Sequence, residues 1–425
     1  MRWTPRTAYL LALCAPLALL GSPRLMVIAM GVVAAAATVD ALAVRTPPEV
    51  TRTYGSFARG ISTPLTISVK NAPGSHPQLR QPLPPDMASP GPTADSSELR
   101  TVLVPQRRGR FLLPQVAVRL DGPLGLGRWH HEHGDEAPIK VYPDVPGAQR
   151  LAQAVRQRSI RAAGSRRNGP LGLGTDFEAI RNYRTDDDVR QINWKATGRL
   201  GTPMSNVLRV EQDTDLWIVA DRGRLSGASL ALPSGPATHL DVALDIATAL
   251  GLVADDLGDR VGFVPYAADP GKVQMPRRRG GGAVVESCFD LEPSDDDSDH
   301  AAAFASVTAK RRGLIFLLTD IVDASATEML AAALPTLTRR HHVILVAIDD
   351  PAHAAMRRAG TPGERLVMQD IDAALTESSR LVQRAGADVL FVPAEQGAEI
   401  AVRAYVKART GATVSSSVGG GLRVG

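Results

Sequence analysis

Gly174-Thr-Asp-Phe-Glu-Ala-Ile-Arg-Asn-Tyr-Arg-Thr-Asp-Asp-Asp-Val-Arg-Gln-Ile-Asn-Trp-Lys-Ala-Thr-Gly-Arg199 lies in the middle of a 425-residue chain, and a short apolar strand closed by Asp221 follows it. The stretch sets Phe177, Tyr183 and Trp194 among alternating charges, with Glu178, Asp187 and Asp188 facing Arg181, Arg184, Arg190 and Arg199. It is too polar for a core strand and too aromatic for a loose linker. Aromatic anchors ringed by paired charges suit a rigid docking or joining element. The alternative is a surface loop braced by its own ion pairs, and exposed pairs contribute little.

On its C-terminal side the pattern turns into alternating strand and helix. Leu216–Ala220 is an apolar strand ending at Asp221, and Leu314–Thr319 is another ending at Asp320. His239–Asp255 carries Leu240, Ala243, Leu244, Ala247, Leu250 and Ala254 at helical spacing. Arg260–Tyr266, His342–Ile348 and Val389–Val392 read as further strands, with helices over 324–339, 369–385 and 394–409. Short apolar strands separated by helices predict a Rossmann-type, doubly wound parallel sheet. Residues 410–425 are rich in Gly and Ser and are expected to be disordered.

The run Gly174, Asp176, Phe177, Arg181, Tyr183, Asp187, Arg190, Ile192, Trp194, Ala196 and Arg199 resembles the signature of domain-of-unknown-function family fifty-eight. Asp186 stands where that family usually has Gly, which alters a turn. The resemblance implies a von Willebrand factor A-like α/β domain behind a membrane hairpin, and association with MoxR-type AAA+ ATPases. Arg107–Phe111 and Asp121–Leu126 are similar to the β-domain of the same family.

Composition fits this plan. Hydrophobic residues make up 44% and charged residues 22%, as in a globular protein with a short membrane segment. The net charge of +4 suits anionic lipid or an acidic partner and does not by itself indicate nucleic acid. Cys14 and Cys288 provide no disulfide framework, so a reducing compartment is expected.

Toward the N-terminus, Thr7–Leu20 and Leu25–Val44 are apolar, the second interrupted only by Asp40. A signal peptide would need a cleavage site before the second run, and a lipoprotein signal at Leu11–Cys14 lies too near the start with Leu before the Cys, so a helical hairpin fits best. Arg2, Arg6, Arg45 and Arg52 favour both ends on the cytoplasmic side, with Arg24 in the turn as an objection. Ile61–Val69, Leu99–Pro105, Arg110–Leu120 and Ile139–Tyr142 predict a small β-sandwich, and Pro73–Ser97 a long mobile loop. The expected organisation is two transmembrane helices over 1–45, the β-sandwich over 46–147 and a basic helical linker over 148–173. The signature follows over 174–210, the α/β domain over 211–409 and the tail over 410–425.

Chemistry in such a sheet gathers at the carboxyl ends of the strands where the strand order reverses. Asp221 and Asp320 are expected to converge there, and two carboxylates can hold Mg²⁺ or Ca²⁺. The family resemblance implies an adhesion-type metal site beginning Asp-x-Ser-x-Ser, but Gly223 and Leu225 occupy the two serine positions. The threonine element of that site has no clear counterpart in the sequence, with Ser294 or Ser298 expected near it. The bland alternative is an Asp capping the turn after each strand. Arg222 and Arg224 could pair with these aspartates or take a partner's carboxylate. His130–Asp135 reads as a solvated loop, Asp295–Asp299 as an acidic loop, and Arg277–Arg279 as a basic segment contacting it.

The expected function is a membrane-anchored, non-enzymatic adaptor that offers the signature and the crevice to a MoxR-type AAA+ ATPase. A divalent-metal-dependent hydrolase or phosphate-processing enzyme is the competing reading. Nucleic-acid binding lacks a recognisable reading module.

Overall fold

The computed structural model describes residues 2–16, 23–73, 75–165, 171–183, 192–209, 214–233, 235–269, 271–308 and 311–409. The expected disordered tail and the motif residues Asp187 and Arg190 lie outside the described residues. The chain divides into two compact units, one of residues 1–144 with 231–237 and 286–291, the other holding the remainder.

In the first unit, β1 (Arg2–Trp3) leads into α1 (Pro5–Leu13), and α2 (Pro23–Ala43) follows. Among the described residues α2 alone is long and apolar enough to cross a bilayer, with mean hydropathy 2.2. The nine residues of α1 fall well short of the roughly 20 that a span needs.

The rest of this unit is β-structure. Strands Glu49–Tyr54, Thr63–Lys70, Glu98–Pro105 and Met87–Ala88 form one antiparallel sheet in that order. A five-stranded sheet contains β1, Ser75–Arg80, Thr93–Ala94, β2 (Val116–Asp121) and β3 (Gly127–His133). Alternate residues of these sheets, among them Leu65, Ile67, Leu79, Leu99, Val116, Val118 and Leu120, share one core.

Two expectations change here. Arg110–Leu120 is not one strand: Pro114 lacks an amide hydrogen, and the chain breaks there into Gly109–Leu113 and β2, which join different sheets. The proline-rich loop over 73–97 contains Ser75–Arg80 and two edge strands of two residues each, the sheet positions that tolerate proline.

In the second unit, α3 (Val145–Ser165) was expected to be a linker. Instead Ala148 and Ala152 are buried, and their small side chains let α3 pack along α5 (His239–Leu257). The signature opens on β4 (Leu171–Asn182), passes through α4 (Trp194–Leu200) and returns on β5 (Met204–Arg209), which pairs antiparallel with β4.

The main sheet comprises β6 (Asp215–Asp221), β7 (Arg260–Tyr266), β8 (Gln274–Arg278), β9 (Leu314–Leu318), β10 (His342–Asp349) and β11 (Asp388–Pro393). Their spatial order is β8-β7-β6-β9-β10-β11, all parallel except the edge strand β8. Every residue of β9 is buried, as a strand covered on both faces requires. On one face Trp217, Val219, Ile315 and Leu317 pack with Leu330 and Val382. On the other, Phe316 meets Tyr405 edge to face at 6.2 Å. This is the doubly wound sheet expected from the sequence, and its order reverses between β6 and β9.

Candidate functional site

The reversal brings the carboxyl ends of β6 and β9 side by side. Asp221 closes β6, and Thr319 and Asp320 extend β9. Both aspartates line one crevice, together with Gly223, Leu225, Ser226, His239, Ser298 and Met329. Its free space is about 80 Å³, well below the roughly 300–1,000 Å³ of small-molecule pockets.

Asp221 is engaged by its own protein at both oxygens. Its Oδ1 accepts the Gly223 amide at 2.9 Å and the Ser298 hydroxyl, while Oδ2 accepts the Thr319 hydroxyl at 2.6 Å. Gly223 has a local reason: a Cβ there would overlap Ser298 Oγ. The Ser298 hydroxyl of the acidic loop thus occupies the space beside Gly223. Thr319 was missed because a threonine at a strand end has no distinctive local signal.

Asp320 is handled differently. Its Oδ1 accepts the amides of Ile321 at 2.8 Å and Val322 at 3.3 Å, capping the turn after β9. Its Oδ2 lies 3.2 Å from His239 Nδ1, at the first residue of α5. Burial pushes the Asp320 carboxyl up, with the Asp221 charge adding and His239 opposing. Behind the crevice, Tyr266 hydroxyl and His300 Nδ1 are 3.1 Å apart. Burial drives the Tyr266 phenol well up and the His300 imidazole down, the latter opposed by Asp221 and Asp299. His239, His300 and Tyr266 were not anticipated, because nothing in their spacing links them to Asp221.

The arginines do not pair with these aspartates. Arg222 reaches Asp269 at 3.3 Å and Arg224 reaches Asp297 at 3.0 Å, so the first crosses to the end of β7 and the second braces the acidic loop. Arg277 and Arg278 sit on β8 rather than in a flexible basic loop. His130, His131 and His133 belong to β3, and His131 is buried with Nε2 2.9 Å from the Val44 carbonyl.

For Mg²⁺ or Ca²⁺ to use Asp221 and Asp320, Ser298 or Thr319 would have to release the first and His239 the second. Among the described residues no three His, Cys, Asp or Glu side chains converge as a metal set. A hard divalent cation at these two carboxylates would compete with the Gly223, Ser298, Thr319, Ile321 and Val322 donors for their oxygens.

The signature forms a second candidate surface. Gly174, Asp176 and Phe177 lie on β4, and Arg181 near its end donates from Nη1 to the Asn182 carbonyl at 3.1 Å. The Tyr183 amide donates to Pro203 at 2.9 Å. Asn193 caps α4 by accepting the Ala196 amide at 2.9 Å, and Gly201 ends it in a left-handed conformation. A shallow groove is lined by Ile180, Asn193, Lys195, Ala196, Arg199 and Leu200. Ile180 and Leu200 are exposed, and Trp194 is 71% exposed. As the first residue of a two-turn helix, Trp194 is not packed into a core.

Residues 179–374 match the family model described as Protein of unknown function DUF58. Over that stretch the chain is similar to DUF58. Uncharacterized proteins of Mycobacterium tuberculosis and Mycobacterium bovis are each 22% identical over 209 residues, covering 48% of this chain and 62% of theirs. The chain thus matches under two thirds of the length of these curated relatives.

Solved structures show weaker likeness. BatB from Bacteroides thetaiotaomicron is 13% identical at TM-score 0.28, covering 47% of this chain and 100% of that one. A von Willebrand factor type A protein from Catenulispora acidiphila is 13% identical at TM-score 0.28, covering 48% and 44%. An aerotolerance-related membrane protein from Bacteroides fragilis is 12% identical at TM-score 0.26, covering 45% and 99%.

Proposed function

We propose that this protein is a membrane-anchored, non-enzymatic adaptor. Its von Willebrand A-like domain recruits a MoxR-type AAA+ ATPase for the assembly or maturation of other proteins. In this reading α2, with α1 as the shorter arm of a hairpin, holds the chain in the membrane with its bulk on the cytoplasmic side. The β-sandwich of the first unit is the spacer.

The observation that carries the proposal is the groove of the signature ribbon. Ile180 and Leu200 stand exposed beside Lys195 and Arg199, an apolar surface rimmed by charge of the kind that marks protein contacts. The crevice supports the same reading, because its carboxylates are engaged by Ser298, Thr319 and His239 and its free space is small.

Purification of the tagged full chain from gently solubilised membranes, with Mg²⁺ and a slowly hydrolysed ATP analogue, tests it. The expected result is co-recovery of an AAA+ ATPase with wild type and its loss on Trp194→Ala or Leu200→Glu, at unchanged melting temperature. Equal recovery of the ATPase with these variants would remove the groove from the interface. Recovery of the protein alone with a stoichiometric divalent ion would overturn the adaptor reading in favour of metal chemistry.

A further inference from the structure

The turn joining β2 to β3, Gly122-Pro-Leu-Gly-Leu-Gly127, is gripped by both N-terminal helices. Asp40 of α2 accepts three of its amides: Leu124 at 2.9 Å, Leu126 at 2.8 Å and Gly127 at 2.9 Å. From the other side the Thr4 hydroxyl donates to the Gly125 carbonyl at 2.7 Å, and Thr7 to that of Leu126. Glycine is required at the contact, since a Cβ on Gly122 would overlap Asp40 and one on Gly127 would overlap the α2 backbone at Ala37. Only the C-terminal stripe of α2, Ala37, Asp40 and Ala41, is buried, whereas Leu25, Val27, Ile28, Val32 and Val39 are exposed.

This grip fixes depth. Asp40 is three residues before the end of α2 at Ala43, roughly 4.5 Å along the axis at helical rise. The turn is therefore level with the boundary of the apolar helix. Leu124 is 66% exposed on it, and Trp3 and Tyr9 are exposed nearby in the chain segment that grips it. Arg6 lies over Gly125.

The adjoining outer face of the sheet is basic. Arg119 pairs in register with His130, and both Arg2 and Asp121 with Arg128, while Val118, Leu120 and His131 between them are buried. Burial pushes the His130 imidazole down, and the nearby charges of Arg2, Arg119, Arg128 and the chain's amino terminus push it the same way. Asp121 neutralises Arg128 through two contacts of 3.1 Å.

We propose that this face is a bilayer-contact surface: Asp40 seats the β2–β3 turn so that Leu124 enters the lipid interface, and Arg2, Arg6 and Arg119 meet anionic headgroups. The anchor is then a rigid seat that sets the height and tilt of the first unit, not a flexible tether. The chemistry is that of an interfacial element, with apolar and aromatic side chains at the boundary and arginines at the phosphates. It depends on α2 being in a membrane and is independent of the adaptor's partner.

The test uses the full chain in nanodiscs with Cys14→Ser, Leu124→Cys and a bimane label, taking only protein that resists alkaline carbonate extraction from membranes. The expected result is loss of bimane fluorescence with lipids brominated near the headgroup. That loss should deepen as phosphatidylglycerol is added and flatten with Arg2→Gln plus Arg119→Gln. Asp40→Ala should release the turn and restore fluorescence. An unquenched label in extraction-resistant protein overturns the proposal. So do disulfide cross-links between Leu124→Cys copies, which would show a second copy covering the face. Complete extraction by carbonate would instead overturn the anchor itself, and the proposal with it.

Discussion

Trp217 and Trp194 lie in neighbouring segments of one unit and have opposite environments. Trp217 is wholly buried on β6, among Val219, Val264, Ile315 and Leu345, while Trp194 is 71% exposed at the start of α4. The main sheet draws its stability from burial on two faces. The signature ribbon is held by backbone pairing and caps; Met204 is buried, whereas Ile180, Trp194 and Leu200 are exposed. The distinctive part of this sequence is thus separate from the part that holds the fold together.

Three measurements sharpen or break that contrast, beginning with the largest effect. Trp217→Ala should cost about 3–5 kcal/mol in denaturant unfolding, the usual range for emptying a buried aromatic site. A cost below about 1 kcal/mol would mean that the sheet core is not where the stability resides.

The second concerns pH. His300 and His341 both have imidazoles pushed down, each first by burial. The folded state therefore binds fewer protons than the unfolded chain once pH falls below the ordinary histidine value of about 6.5. Stability is fully present above that value and is lost as pH falls toward the folded values. Melting temperature should drop on acidification from pH 7, and His300→Gln should make the drop shallower. An unchanged drop in that variant would take His300 out of the buried cluster.

The smallest effect is expected at the ribbon. Trp194→Ala should change stability by no more than about 0.5 kcal/mol, as for a surface position outside a core. A large loss would place Trp194 against a face that the present exposure denies, and the contrast would collapse.

Much of the α/β fold was legible because its signals are local. Runs such as Leu314–Leu318 are apolar throughout, Leu240–Leu250 repeats at helical spacing, Asp221 closes its strand, and Asp320 follows two residues after its own. The first unit was less legible: Pro114 divided what read as one strand, and the proline-rich segment supplied edge strands. Charge density also misled at Arg222 and Arg224, whose nearest carboxylates in the sequence are not their partners in space.

By itself the sequence determined the doubly wound sheet, the apolar helix at its N-terminal end and the two aspartates at the strand ends. Those properties follow from periodicity and from the residues that punctuate it. Only the tertiary structure decided that Ser298, 77 residues from Asp221, fills the space beside Gly223, or that His239 faces Asp320. The same holds for Asp40, which receives amides more than 80 residues away. Each of these contacts joins segments that no local pattern couples. The loops meet because the strand order reverses between β6 and β9, and the turn meets its helix because two glycines let their backbones touch.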